Sequence, residues 1–147
     1  MSENDSVTIR PDACEVTRRV RAARIYISSP LFTINGTLVH LGEALKEVQD
    51  NVVAALRKGE LVMQLGGVPY VPHLNVLWDT ISPHEVDYWL YMDEQWIYAS
   101  DALYRFGGKS SGADKEIGWA AEFGLPILHS DEALRAFMDS WNAVKAV

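Results

Sequence analysis

Apolar and polar positions change period several times along the chain, and each change marks an element. ARIYIS, residues 23–28, is a short apolar run with β-branched and aromatic members, which predicts a buried strand. SPLFTINGT follows as a loop carrying Pro30 and Gly36. Over residues 40–58, Leu41, Ala44, Leu45, Val48, Val52, Ala55 and Leu56 recur at helical spacing, and Gly59 is expected to stop that helix. GGVPYVPHL, residues 66–74, reads as a second short strand broken by prolines, and a loop is expected over Asn75–Ile81. Ser82-Pro83-His84-Glu85 carries a helix-start signal. Ser82 can cap, Pro83 suits the first helical position, and Glu85 can complete a capping box. That helix is expected to run to about Ser100. DALYRF, residues 101–106, predicts a third strand, and residues 113–123 a helix stopped by Gly124. LPILHS is a fourth strand. Ser130 then caps a final helix whose apolar stripe is Leu134, Phe137, Met138, Trp141 and Val144.

Strands alternating with helices predict an α/β fold, single-domain and Rossmann/flavodoxin-like. The sheet is expected to be mostly parallel, four- or five-stranded, with helices on both faces. Residues 1–22 lack a clean pattern and read as a flexible N-terminal arm, with a pair of helical turns around Glu15–Ala23; the domain itself spans 23–147. In such sheets ligands bind beyond the carboxyl ends of the strands, where the strand order reverses. The loops after Ile27, His73 and Phe106 are expected to meet there.

Composition narrows the partners. A length of 147 residues supports one full core. The formal net charge of −7 argues against a nucleic-acid backbone as partner, because phosphate tracking needs a positive field, but it leaves room for a single nucleotide. Arg10, Arg18, Arg19, Arg21 and Arg24 concentrate positive charge near the start, as either a solvated arm or a contact for an anionic partner would. Cys14 is the only cysteine, so neither an intrachain disulfide nor a Cys-rich metal site is expected, and a reducing cytoplasm fits. No apolar run reaches the ~18 residues of a membrane span, so no membrane partner is expected. His40, His73, His84 and His129 show no metal-ligand spacing, and no metal site is read.

Three side chains stand out as candidate chemistry. Asp93 falls on the apolar face of the 82–100 helix, with Val86, Trp89, Leu90, Trp96 and Ile97; a carboxylate there is costly unless it is paired or works at a site. Glu116 is expected in the first turn of the 113–123 helix, where a glutamate commonly does no more than complement the dipole. The preceding Ser110, Ser111 and Gly112 resemble an anion cradle, which would hold Glu116 ionised and aimed at a ligand. GKSSGADKE is not a phosphate-binding GxxxxGK[ST] loop, and no GxSxG elbow is present. Tyr26 would point its hydroxyl into the crevice from a strand end, and Trp78 in the 75–81 loop is the best candidate for stacking on a base.

Tyr26-Ile27-Ser28-Ser29-Pro30, Asp93, Asp101-Ala102-Leu103 and the run Ser110-Ser111-Gly112-Ala113-Asp114-Lys115-Glu116-Ile117-Gly118 occur in one order and spacing. Together they resemble the nucleoside 2-deoxyribosyltransferase superfamily, which includes the 2′-deoxynucleoside 5′-monophosphate N-glycosidases. The resemblance spans roughly residues 24–128. It implies that Glu116 attacks C1′ of the sugar, that Asp93 protonates or positions the leaving base, and that Tyr26 orients the nucleophile. It also implies substrate contacts from Ser28, Ser29, Ser110, Ser111 and Gly112, no cofactor, and a homodimer or larger assembly. Asp101 sits at an acidic strand-start position taken as structural. Transferases acting on free nucleosides tend to carry an acidic residue six positions before the nucleophile, where this chain has Ser110, so a nucleoside 5′-monophosphate is the favoured substrate. The alternatives are base exchange on free deoxynucleosides and a non-catalytic nucleotide-binding domain. Two departures stand against the family pattern. Ser-Ser-Pro replaces a glycine-containing loop, and Asp114 replaces a small residue, close enough to raise the pKa of Glu116.

Overall fold

The computed structural model describes residues 21–31, 33–34, 37–38 and 45–145. Cys14, Gly36, Leu41, Ala44 and most of the expected N-terminal arm and its helical turns lie outside the described residues. Four strands form one all-parallel sheet: β1 (Arg24–Ser28), β4 (Val68–Tyr70), β5 (Ala102–Arg105) and β6 (Ile127–Leu128), in the order β4-β1-β5-β6. A separate antiparallel pair joins β2 (Thr33–Ile34) to β3 (Thr37–Leu38). The α/β fold with a four-stranded parallel sheet is the one the alternating pattern predicts.

The helices are α1 (Leu45–Gln64), α2 (Asn75–Ile81), α3 (Val86–Tyr98), α4 (Ser111–Glu122) and α5 (Asp131–Lys145). Strand alternation assigns them to the two faces of the sheet. Ile25, Ile27, Ala102 and Tyr104 pack with Ala55 and Val62 of α1 and Leu134 and Met138 of α5. Tyr26 and Leu103 face the other way, onto Ile97 of α3 and Ala120 of α4. None of the described helices is long and apolar enough to cross a membrane.

Several boundaries differ from the sequence expectation, each for a local reason. Helix α1 runs through Gly59. A Cβ there would come within 3.1 Å of Val71 Cγ2, so this glycine admits a close neighbour instead of ending the helix. The stop comes at Gly66, with φ +84, where Gly66 N–H donates to Met63 O and Gly67 N–H to Val62 O. The expected 66–74 strand shrinks to Val68–Tyr70, because Pro72 opens a 3-10 turn over Pro72–Leu74. The expected 75–81 loop is helix α2.

The Ser82 capping box does not form; α3 starts at Val86 without a side-chain cap. Asp79 of α2 holds that junction instead, accepting from His84 N at 2.9 Å and Trp89 Nε1 at 2.8 Å. Helix α4 starts two residues earlier than expected, with Ser110 as its N-cap. Gly124, φ +72, ends it and Ser130 caps α5, both as expected. Val144 is 68% exposed and leaves the α5 stripe. Asp101 has the structural role foreseen for it: its carboxylate binds Arg21 at 2.5 and 2.7 Å and the Arg24 amide at 2.8 Å. The last residues of the expected arm are therefore tethered, and Trp141 Nε1 adds a bond to Arg21 O at 2.9 Å.

Candidate functional site

The strand order reverses between β1 and β5, and the carboxyl ends of these strands open a crevice there. A cavity of about 330 Å³ fills it. Its walls come from the residues after β1 and β4, from α2 and α3, and from the start of α4. A volume near 300 Å³ is at the small end for a small-molecule site.

Glu116 is the centre of the polar wall. The Ser110 cap puts it in the second turn of α4, not the first, on the inward stripe with Ala113 and Ala120. It lines the cavity yet is only 7% exposed. Ser28 Oγ donates to Glu116 Oε1 at 3.2 Å. Asp93, half-buried, enters the same cavity from α3, as its place on the apolar stripe required. Tyr26 is fully buried in mid-strand and stands behind both acids. Its hydroxyl approaches both carboxylates without closing a hydrogen bond to either. Tyr26 Oη, Asp93 Oδ1 and Glu116 Oε2 are all buried, and none has a hydrogen-bond partner among the described residues. Glu116 and Asp93 reach the cavity with Tyr26 behind them, and three orphaned polar atoms in one cluster are costly to folding.

The electrostatics correct one expectation. Glu116 is not held ionised by the helix start; burial pushes its pKa up to about 8, with Asp93 adding to the rise and Tyr26, Ser28 and Arg105 opposing it. Burial likewise pushes Asp93 up to about 7, against a lowering contribution from Tyr26. Asp114 is exposed on the outer face of α4 and contributes nothing to this shift. Two acids with raised pKa values in one cavity titrate as a coupled pair, so near neutrality the pair retains a proton. Tyr26 itself is driven well above its ordinary range by burial and by both carboxylates, and stays protonated.

The remaining expected residues divide. Ser29, Ser110, Ser111 and Gly112 line the cavity. Ser110 Oγ accepts from Ala113 N at 3.2 Å, so its first duty is to cap α4. Ser28 is buried and touches Glu116 instead of the cavity, which makes it a support for the acid. Trp78 lies outside the lining. It is 51% exposed and sets its edge against Trp89, and Trp89 is the aromatic side chain on the cavity wall. The misassignment follows from α2: in a helix Trp78 turns outward, whereas the expected loop left its direction free.

Sequence reading passed over His73. It is 2% exposed and lines the cavity from the turn after β4. Its Nε2 lies 2.9 Å from Ser29 Oγ and 3.1 Å from Ser29 O. A carbonyl only accepts, so Nε2 carries the proton and Nδ1 is left as an acceptor. Burial lowers the pKa of His73 to about 4, which keeps the ring neutral. The available signal was its position, at the end of one of the three loops expected to meet at the crevice. Among the described residues, no group of three or more His, Cys, Asp or Glu side chains is placed to hold a metal ion. What the arrangement offers is acid–base and nucleophilic carboxyl chemistry beside an apolar wall of Leu31, Val76, Val86, Trp89 and Leu90. Comparison with family models finds none that matches the chain, and comparison with curated proteins finds none either.

Proposed function

We propose that this chain cleaves the N-glycosidic bond of a 2′-deoxynucleoside 5′-monophosphate through a covalent glycosyl-enzyme intermediate on Glu116. The observation that carries the reading is the pair of carboxyl groups, Glu116 and Asp93, that line one cavity with the Tyr26 hydroxyl behind them, each with a buried oxygen left unpartnered among the described residues. The resemblance of Tyr26, Asp93 and Ser110–Gly118 to the nucleoside 2-deoxyribosyltransferase superfamily supplies the reaction class.

In this reading the ionised Glu116 attacks C1′ and forms the C1′–O bond. The C1′–N bond breaks, and its electron pair goes to the base nitrogen, which takes the proton held by Asp93. At rest Glu116 is the weaker acid of the pair, so this reading requires the shared proton to pass from Glu116 to Asp93 before attack, leaving one member charged and the other protonated. Ser28 and Tyr26 aim the nucleophile. Water then opens the glycosyl ester and gives the free sugar phosphate; a second base in its place would give exchange. The flat base would lie against Trp89 and Leu90. The phosphate would sit at the start of α4, where Ser111 and Gly112 expose backbone near a helix N-terminus and Lys115 adds charge.

The test is incubation with a panel of deoxynucleoside 5′-monophosphates and their dephosphorylated partners, followed by chromatography for free base. Release from the monophosphate, abolished in Glu116→Ala, supports the reading, as does a sugar phosphate adduct on Glu116 after denaturation. The monophosphate preference should fall sharply in Ser110→Asp, since a carboxylate there repels phosphate. Base exchange on free nucleosides would instead assign the transferase alternative, and binding without release a non-catalytic domain. Self-association belongs to the same proposal: Leu77, Ile81, Val86, Tyr91 and Trp96 expose apolar surface on α2 and α3. Light scattering at micromolar concentration should give at least a dimer.

A further inference from the structure

Arg105 ends a strand that is paired on both sides, between β1 and β6, and it is 9% exposed. It is the only buried Lys or Arg among the described residues. A charge in such a place needs partners. Arg105 finds them in the backbone just ahead of it. Its Nη1 donates to Phe106 O and, at 3.5 Å, to Gly107 O, and its Nη2 donates to Gly108 O at 2.5 Å. The guanidinium is thus folded back under the turn that leads to Ser110, the cap of α4.

That turn is gripped from the other side as well. Phe106 N–H donates to Ser28 O at 3.1 Å, and Gly107, at φ +82, lies so close to Pro30 that a Cβ would come within 2.9 Å of its Cδ. The height of the turn fixes where Ser110 starts the helix, and so where Glu116 emerges six residues later.

The charge points the same way. Arg105 pairs in register with Ser28, the residue that binds Glu116. Strand alternation puts it on the face of Leu103, toward α3 and α4. Its partners are carbonyls, which leave the positive charge unneutralised, and its Nε has no hydrogen-bond partner among the described residues. The groups that act on the Glu116 carboxyl are Tyr26 and Ser28 from β1, Asp93 from α3 and, most weakly, Arg105 from β5. Of these, only Arg105 brings a fixed positive charge.

We propose that Arg105 is a positioning residue for Glu116, anchoring the turn that starts α4 and facing the carboxyl group with a fixed positive charge. It acts through backbone and field and does not touch substrate. Only the kinetic arm of its test rests on the proposed reaction.

The experiment compares Arg105→Met, which removes hold and charge, with Arg105→Lys, which keeps the charge and loses the fork. The first readout is independent of turnover: titration of the Glu116 carboxyl by carbon-13 NMR in glutamate-labelled protein, assigned with Glu116→Gln. In Arg105→Met the Glu116 midpoint should rise by about one pH unit, and in Arg105→Lys by less than about half of that. The second readout is base release. Arg105→Met should lower kcat about 100-fold with KM held within about threefold, and Arg105→Lys should lower kcat about tenfold. An unmoved Glu116 midpoint in Arg105→Met overturns the proposal, as does a loss confined to KM. If Arg105→Met fails to fold, Arg105→Lys decides: wild-type kcat and an unmoved Glu116 midpoint overturn it. A wild type that releases no base while the midpoint still rises in Arg105→Met defeats the reaction and leaves this inference standing.

Discussion

Replacing Glu116 by glutamine should make the protein more stable at neutral pH. The side chain is 7% exposed, and burial pushes its pKa from 4.5 up to about 8. A carboxyl group whose folded pKa is raised stabilises the fold fully below its unfolded pKa, and that contribution is lost as pH rises through the folded value. Between pH 4.5 and about 8 the unfolded chain releases this proton while the folded chain holds it. Each pH unit inside that window costs the folded state about 1.4 kcal/mol, so the penalty at pH 7 is about 3 kcal/mol. Glutamine has the same shape, still accepts from Ser28 Oγ and carries no proton to lose. The variant should therefore melt roughly 6–12 °C above the wild type at pH 7. At pH 4 the gap should close, because both side chains are then neutral in both states. Thermal melts followed by circular dichroism from pH 4 to pH 8 read this directly. A variant no more stable than the wild type at pH 7, or a gap that does not change with pH, would refute the reasoning that Glu116 is held at the expense of the fold.

Asp93→Asn should slow release of a natural base about 100-fold but an activated aryl leaving group by less than about fivefold, because only the poor leaving group needs the proton; equal losses, measured side by side, would assign Asp93 to positioning. Gly107→Ala should destabilise the fold by roughly 1–3 kcal/mol, since an alanine there must adopt positive φ against Pro30; the urea midpoint checks this. Trp89→Ala should raise KM about tenfold and Trp78→Ala no more than about twofold, as only Trp89 faces the cavity; steady-state kinetics of the two variants would expose a reversed order.

Much of the fold was legible because long periodic stretches dominate it. The stripe Leu134-Phe137-Met138-Trp141 and the run ARIYIS each allow one reading, and α5 and β1 form where expected. Short elements with prolines were not legible. Helix α2 has seven residues and no side-chain cap, so nothing in Asn75–Ile81 announces it apart from the tertiary contacts that hold it. Gly59 was misread for a related reason. A glycine signals either a stop or a close neighbour, and only the position of Val71 distinguishes them. At the site, Asp93 was found because a charge on an apolar stripe is anomalous by itself. The environment of Glu116 was not, since ionisation depends on burial by residues far away in sequence, Asp93 and Tyr26 among them. The role of Arg105 was not legible, because its bonds to the following three carbonyls leave no mark in a sequence.

The two faces of the sheet are unequal. Among the described residues, the cluster against α1 and α5 joins ten buried hydrophobic residues, and the one against α3 and α4 joins four. Every catalytic candidate lies on the sparser side. The chain therefore separates the part that keeps it folded from the part that meets a ligand. Mutational drift can reshape α2, α3 and the start of α4, trading one ligand for another, while the α1–α5 side carries the thermodynamic load. A directed-evolution library confined to the α2–α3 surface would accordingly keep most of its members folded, which gives this small scaffold room to change what it recognises.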